Sequence, residues 1–144
     1  MLDLAWAAMI FKRKFRVHWV DTDIAGVMHF TNYFRYFEAC EEEFYRSLGM
    51  DLNFLKEEQG VLLPRVEASC QYRVACRFND EIEVALSVKE VGPKTLTYEF
   101  QVLKKGEKAA EGLVKCIATT LDWKVIDLPK EFAQAVQSAR NRTI

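Results

Sequence analysis

Between Asn32 and Gly49 the chain carries a stretch whose apolar residues recur at helical spacing, whereas most of the chain beyond residue 60 alternates as strands do. Tyr33, Phe37, Cys40, Phe44 and Leu48 are three or four residues apart, which puts them on one stripe of an α-helix. Thr31 or Asn32 can cap its start, and Gly49 stands where helices commonly end. Glu42 and Arg46 form an i,i+4 pair of favourable orientation, contributing about 0.2–0.5 kcal/mol. The run Glu41-Glu42-Glu43 reads as a solvated or interface-rim face and not as a metal site.

Before this helix, residues 11–20 alternate from Lys14 onward. Phe15, Val17 and Trp19 fall on one side, Lys14, Arg16 and His18 on the other, which predicts a strand with one buried face. Residues 21–31 break the pattern and read as a loop. Residues 50–60 hold a short turn or helical piece ending at Gly60. Strand patterns then occupy 64–77, 81–91, 95–105 and 109–123, separated by turn-forming residues at 78–80, 92–94 and 105–107. Asp127-Leu128-Pro129 opens a last helix, with proline near its first turn and Phe132, Val136 and Ala139 as its packing stripe. The order predicts an α+β architecture in which an antiparallel sheet buries its apolar face against one long helix.

The chain has 144 residues, enough for one domain with one core over 1–144. Met9 offers an alternative start, so residues 1–9 are a candidate N-terminal extension. The net charge is −1. That leaves no basic excess to neutralise phosphates, so no nucleic-acid partner is expected. The apolar N-terminus carries Asp3, has no basic residues before it and is too short to span a bilayer, so no membrane span is expected. None of the four cysteines forms a C-x-x-C pair, and the two histidines are not spaced as ligands beside them. No metal and no cofactor are expected. Three of the cysteines lie in apolar stretches, as small hydrophobes do, which points to a reducing, cytoplasmic compartment.

The segment from Trp19 to Ala39 holds Asp21, Asp23, Gly26 and Val27 as D-x-D-x-x-G-V, then Asn32-Tyr33, then an aromatic-rich helix with Glu38. This block resembles the 4-hydroxybenzoyl-CoA thioesterase family and its Tol-Pal-associated acyl-CoA thioesterase branch. The likeness extends more weakly over about residues 10–128, through the strand and turn at 64–80 and the turn around Gly92-Pro93-Lys94. The resemblance implies a hotdog fold, a sheet wrapped around one central helix. It also implies a dimer with joined sheets, often a dimer of dimers (a homotetramer), with active sites at the dimer interface. Asp23 matches the catalytic aspartate, and the backbone N–H near Phe30 matches the oxyanion donor. Lys94 is the basic match for a CoA contact, although Gly92 and Pro93 stand where some relatives are more basic. Some relatives place tyrosine or histidine at the oxyanion position; here the order is His29-Phe30.

Thioester hydrolysis needs attack on the carbonyl carbon and stabilisation of the oxygen. The thiolate leaves without a strong acid. Asp23 can serve as nucleophile, through a mixed anhydride, or as base for water. The helix N-terminus supplies unpaired N–H groups and partial positive charge. Gly26 lets the loop turn tightly. Asp21 is expected to order the loop by hydrogen bonds. Asn32 reads as a cap or brace, while His29 and Tyr33 line the pocket or pack beside it. Glu38 and, less so, Glu67 are further acids near the cleft. Phe30, Tyr33, Phe34, Tyr36 and Phe37 can line an acyl pocket or simply form core. The acyl group, aromatic or aliphatic, stays open. The competing reading is a non-catalytic hotdog module that binds acyl carrier protein or a protein complex. A hotdog dehydratase would need a different histidine and acid pattern, which this chain lacks.

Overall fold

The central strands are built from residues with apolar side chains on both faces, and that density fixes them in the middle of a sheet. The computed structural model describes residues 8–142. The strands are β1 (Phe11–Arg16), β2 (Arg65–Tyr72), β3 (Glu81–Val91), β4 (Thr95–Lys104) and β5 (Glu107–Ile117). The helices are α1 (Asn32–Ser47), α2 (Leu52–Gln59) and α3 (Lys130–Arg140), with a 3₁₀ turn at Trp19–Asp21. All strand pairs are antiparallel, in the order β1-β3-β4-β5-β2. In β4, Leu96, Tyr98, Phe100 and Val102 face the main core, while Thr97, Gln101 and Leu103 are buried on the opposite face. Most of the candidate extension at 1–9 lies outside the described residues, but Met9 is buried in a small cluster with Ala85 and Leu103.

Helix α1 lies across the apolar face of the sheet, as its stripe predicts. Phe37 stacks on Phe100 with ring centroids 4.7 Å apart, and Phe44 meets Phe11 and Tyr98 edge-on at 5.6 and 6.1 Å. Burying each such ring contributes roughly 2–3 kcal/mol. The helix can come this close because Gly112 in β5 has no side chain. A Cβ there would overlap the Phe37 ring and sit 2.9 Å from the Ser69 carbonyl oxygen. α3 closes one end of the core, with Phe132 5.4 Å from Tyr45. α2 is the short piece expected before Gly60. Asp51 caps it by accepting from Phe54 N–H at 2.8 Å, and Gly60 ends it at φ 66°. The sheet around α1 is the hotdog arrangement.

The structure corrects several expectations. The first strand stops at Arg16, because Val17 N–H turns to Asp80 O and His18 N–H to the Tyr36 hydroxyl. Val17 stays buried, but Trp19 lies in the 3₁₀ turn and is 77% exposed. β2 ends at Tyr72, since the N–H groups of Arg73 and Val74 both converge on Ala109 O. β5 ends at Ile117, and residues 119–125 form a separate tight hairpin. Thr31 occupies the N-cap position of α1, but its hydroxyl bonds His29 Nδ1 at 2.7 Å and caps nothing. Glu41 is not a solvated acid: it is 2% exposed. Its place in the helical period, between Phe37 and Tyr45 at four-residue spacing, turns it inward. Among the described residues, no helix is long and apolar enough to cross a membrane.

Candidate active site

The loop before α1 is a small hairpin held by its own backbone. Thr22 bridges Met28, Asp23 N–H donates to Val27 O at 2.9 Å, and Gly26 N–H donates back to Asp23 O at 2.9 Å. Gly26 takes φ 80°, a conformation that glycine reaches without Cβ strain. The outer strand of this hairpin is pinned to the sheet end, with Met28 N–H on Cys76 O at 2.6 Å. Asp23 Oδ1 accepts from Ala25 N–H at 2.9 Å. Its Oδ2 makes no hydrogen bond among the described residues, so one carboxylate oxygen is held in place and the other is open.

Asp21, at the base of the same hairpin, is the anchor. Its buried carboxylate accepts from Arg35 Nε at 2.8 Å, from an Arg35 terminal nitrogen, and from the Tyr36 hydroxyl at 2.7 Å. Its carbonyl accepts from His29 N–H at 2.9 Å and from the Asn32 side-chain amide at 3.0 Å. The hydrogen bond from Arg35 holds the Asp21 carboxyl below the usual aspartate range, against a desolvation that opposes ionisation. Asn32 is therefore a brace between loop and helix. Neither Arg35 nor Tyr36 is distinguished by the sequence for this role, because nothing local marks a helix residue as the partner of a loop aspartate.

The residues leading into α1 differ in how their N–H groups are used. His29 N–H is taken by Asp21 O, and Thr31 N–H by His29 Nδ1 at 3.2 Å. The Phe30 N–H makes no hydrogen bond among the described residues. Its carbonyl, in contrast, is fixed by the Tyr72 hydroxyl at 2.7 Å. Tyr72 comes from the end of β2 and also packs edge-on against buried Tyr33 at 4.9 Å. An open N–H at the entry of a 16-residue helix is a hydrogen-bond donor in a positive field. Sequence reasoning missed Tyr72 as well; only its tertiary contact identifies it. His29 stacks on Phe30 at 4.7 Å.

Further along α1, Glu38 is exposed and 3.8 Å from Arg65, whose other terminal nitrogen bonds Glu41 at 2.9 Å. Glu41 also accepts from the Tyr45 hydroxyl at 2.6 Å, and the Tyr45 oxygen lies 3.0 Å from that of Tyr98. Burial pushes the Glu41 carboxyl up, with Arg65 and Tyr45 pulling against it. Phe34, Glu38, Glu41, Arg65, Ala68 and Val114 line a cavity of about 110 Å³ between α1 and the β2–β5 side of the sheet. Glu67 is exposed on β2, across from Lys115 of β5. Lys94 lies in the β3–β4 turn, at the far end of β3 from the segment that anchors the Asp23 hairpin, and its ammonium bonds Asp127 at 2.6 Å. The four cysteines are free thiols. Burial pushes Cys40 and Cys116 up to about 12 and Cys70 up to about 11, which disqualifies them as thiolate nucleophiles at neutral pH. Among the described residues, no group of three or more His, Cys, Asp or Glu side chains could hold a metal ion.

The family model of the thioesterase-like superfamily matches residues 17–136. The chain is 29% identical over 126 residues to the acyl-CoA thioesterase YbgC of Haemophilus influenzae, covering 87% of this chain and 93% of that one. A crystal structure of an Aquifex aeolicus protein superposes with a TM-score of 0.83 at 30% identity, covering 88% of this chain and 98% of that one. A solved gentisyl-coenzyme A thioesterase gives a TM-score of 0.78 at 27% identity, over 84% of this chain and 98% of that one.

Proposed function

Because the chain belongs to the thioesterase-like superfamily, we propose that it hydrolyses an acyl-CoA thioester, with the Asp23 carboxylate and the Phe30 N–H acting on the same carbonyl group. The observation that carries this reading is the pairing of one open carboxylate oxygen with one open backbone donor on a single braced unit. Asp23 sits on the hairpin, Phe30 comes directly after it, and Asp21 locks both to α1. Attack at the carbonyl carbon moves charge onto the carbonyl oxygen, where a preorganised N–H in a helix-terminal field is worth most. As a base, Asp23 takes a proton from the attacking water; as a nucleophile, it forms a mixed anhydride that water then opens. Either way the C–S bond breaks and CoA leaves as a thiolate, which picks up a proton. The free acid is the other product.

The surroundings fit that chemistry. The 110 Å³ cavity beside Phe34 is one turn into α1 and takes part of the acyl group. Lys94, at the far end of β3 from its own Asp23 hairpin, serves a CoA held against a second copy of the chain, exchanging its Asp127 partner for a phosphate. A second copy pairs along the outer edge of β2, the strand that ends the sheet, which makes the assembly a dimer. The free thiols support a reducing, cytoplasmic setting.

The test is Asp23→Asn, assayed by free-thiol release over a panel of aromatic and aliphatic acyl-CoAs. Turnover is expected to fall about 1,000-fold, within the range for a positioned base, with an unchanged thermal unfolding midpoint. Wild-type-like hydrolysis by the variant overturns the assignment. No thiol release by the wild type on any thioester favours a binding module instead.

A further inference from the structure

We propose that the hairpin carrying Trp123 serves the other subunit, closing the acyl-CoA cleft beside the partner's Asp23 and Phe30; this rests on the thioesterase and dimer reading above. The hairpin spans residues 119–125 and is tightly made. Thr119 bridges Val125, Thr120 N–H donates to Lys124 O at 2.8 Å, and Trp123 N–H donates to Thr120 O at 3.0 Å. Its exposed residues include Leu121, Trp123 and Val125, with Trp123 67% exposed. Trp123 also holds φ 67°, the left-handed region that bulky residues avoid. A large aromatic kept exposed on strained backbone costs stability and rewards nothing within its own chain.

The fold decides what this hairpin can reach. It is fastened just ahead of β2, through paired hydrogen bonds between Leu62 and Thr119 at 2.9 and 3.0 Å. The end of β2 is fastened to the candidate site, through Tyr72 and the Phe30 carbonyl. The hairpin and the site thus flank opposite ends of one edge strand. The site end is apolar and exposed as well: Ile24 is fully exposed and Phe30 is 61% exposed. Between the two ends, the outer side of β2 offers main-chain donors and acceptors along a strand whose exposed residues include Val66 and Tyr72.

A second copy of this chain is the occupant that fits. Antiparallel pairing of β2 with β2 about a two-fold axis places the start of each strand beside the end of the other. Each apolar hairpin then meets the apolar site end of its partner, twice over, and neither apolar end is left facing water. The other sheet edge is unsuited to this. β1 carries Lys12, Arg13, Lys14 and Arg16 within six residues, and clustered charge of this kind blocks edge pairing. A net charge of −1 per chain sets little repulsion between copies.

Placement in trans has a signature that placement in cis cannot imitate. Trp123→Ala is expected to lower kcat/KM roughly tenfold, the scale of one lost aromatic contact, at unchanged thermal midpoint, and Trp123→Phe to restore most of it. Heterodimers of D23N and W123A chains are then isolated with two different tags. In trans, one of the two sites has Asp23 together with the partner's Trp123, so the heterodimer is more active than the W123A homodimer and approaches half of wild type. In cis, it is half as active as the W123A homodimer. The second result overturns the proposal, as does full activity of W123A or a monomeric wild type in solution. A contact test independent of catalysis separates this from failure of the Asp23 reading. Mixed Ile24→Cys and Trp123→Cys chains should give a covalent dimer on oxidation that neither forms alone, whether or not D23N is inactive; absence of that dimer also overturns the proposal.

Discussion

Arg35 grips Asp21 with two nitrogens, one on each carboxylate oxygen, and this pair joins the loop after β1 to the first turn of α1. Tyr36 adds its hydroxyl to the same carboxylate. The Asp23 hairpin therefore cannot drift relative to the helix entry without breaking a buried, charged cluster.

Asp21→Ala should destabilise the fold by about 1.5–3 kcal/mol, the range for hydrogen bonds to a charged group. The solvent-exposed side of Arg35 keeps the figure from being larger. The pH dependence has a definite sign. Arg35 holds the native carboxyl below its unfolded value of 3.8. Its stabilisation is fully present above that value and is lost as pH falls through the lower native one. Urea unfolding of the wild type should weaken more steeply in acid than that of Asp21→Asn, and equal slopes would contradict the pairing.

Arg65→Met tests the second buried acid. It leaves Glu41 without its cation in an apolar setting, and the expected cost is about 3 kcal/mol, the lower end for breaking a buried pair because Arg65 is partly exposed. Here the sign reverses. Burial already raises the native Glu41 carboxyl above its unfolded value of 4.5, and loss of Arg65 raises it further. Stability tied to the protonated acid is present at low pH and is lost as pH rises through the native value. The gap between variant and wild type should shrink as pH falls toward the unfolded value of 4.5 in urea titrations. A gap that widens toward acid would mean that Glu41 is not the group responsible.

Gly112→Ala probes the contact between helix and sheet. The added methyl overlaps the Phe37 ring and lies 2.9 Å from Ser69 O. Phe37 cannot yield freely, because it is stacked on Phe100. A loss of about 1–3 kcal/mol is expected from overpacking, read as a lower thermal midpoint. Pairing the change with Phe37→Leu should recover part of it, and an unchanged midpoint in the single variant would show that α1 sits farther from β5.

Period and turn chemistry made α1, β3 and β4 readable from residues alone, because their side chains alternate or recur where the core requires it. Glu41 was also readable in principle: four residues from Phe37 and from Tyr45, it shares the buried side of the helix, but its charged neighbours Glu42 and Glu43 masked that position. Trp19 misleads for the opposite reason. It continues an alternating run, yet the Tyr36 hydroxyl takes the His18 N–H and turns the chain out of the sheet.

Local order in the chain determined the sheet-and-helix architecture and put Asp23 in a glycine-containing loop just ahead of the central helix, since both depend on spacing between near neighbours. The tertiary structure alone decided which groups stay open. Asp21, not Asp23, is consumed by Arg35 and Tyr36, and Tyr72, 42 residues away, takes the Phe30 carbonyl while the Phe30 N–H is left unpaired. Hydrogen bonds between residues that distant depend on how the sheet returns the chain to itself, and no periodicity in the sequence records that path.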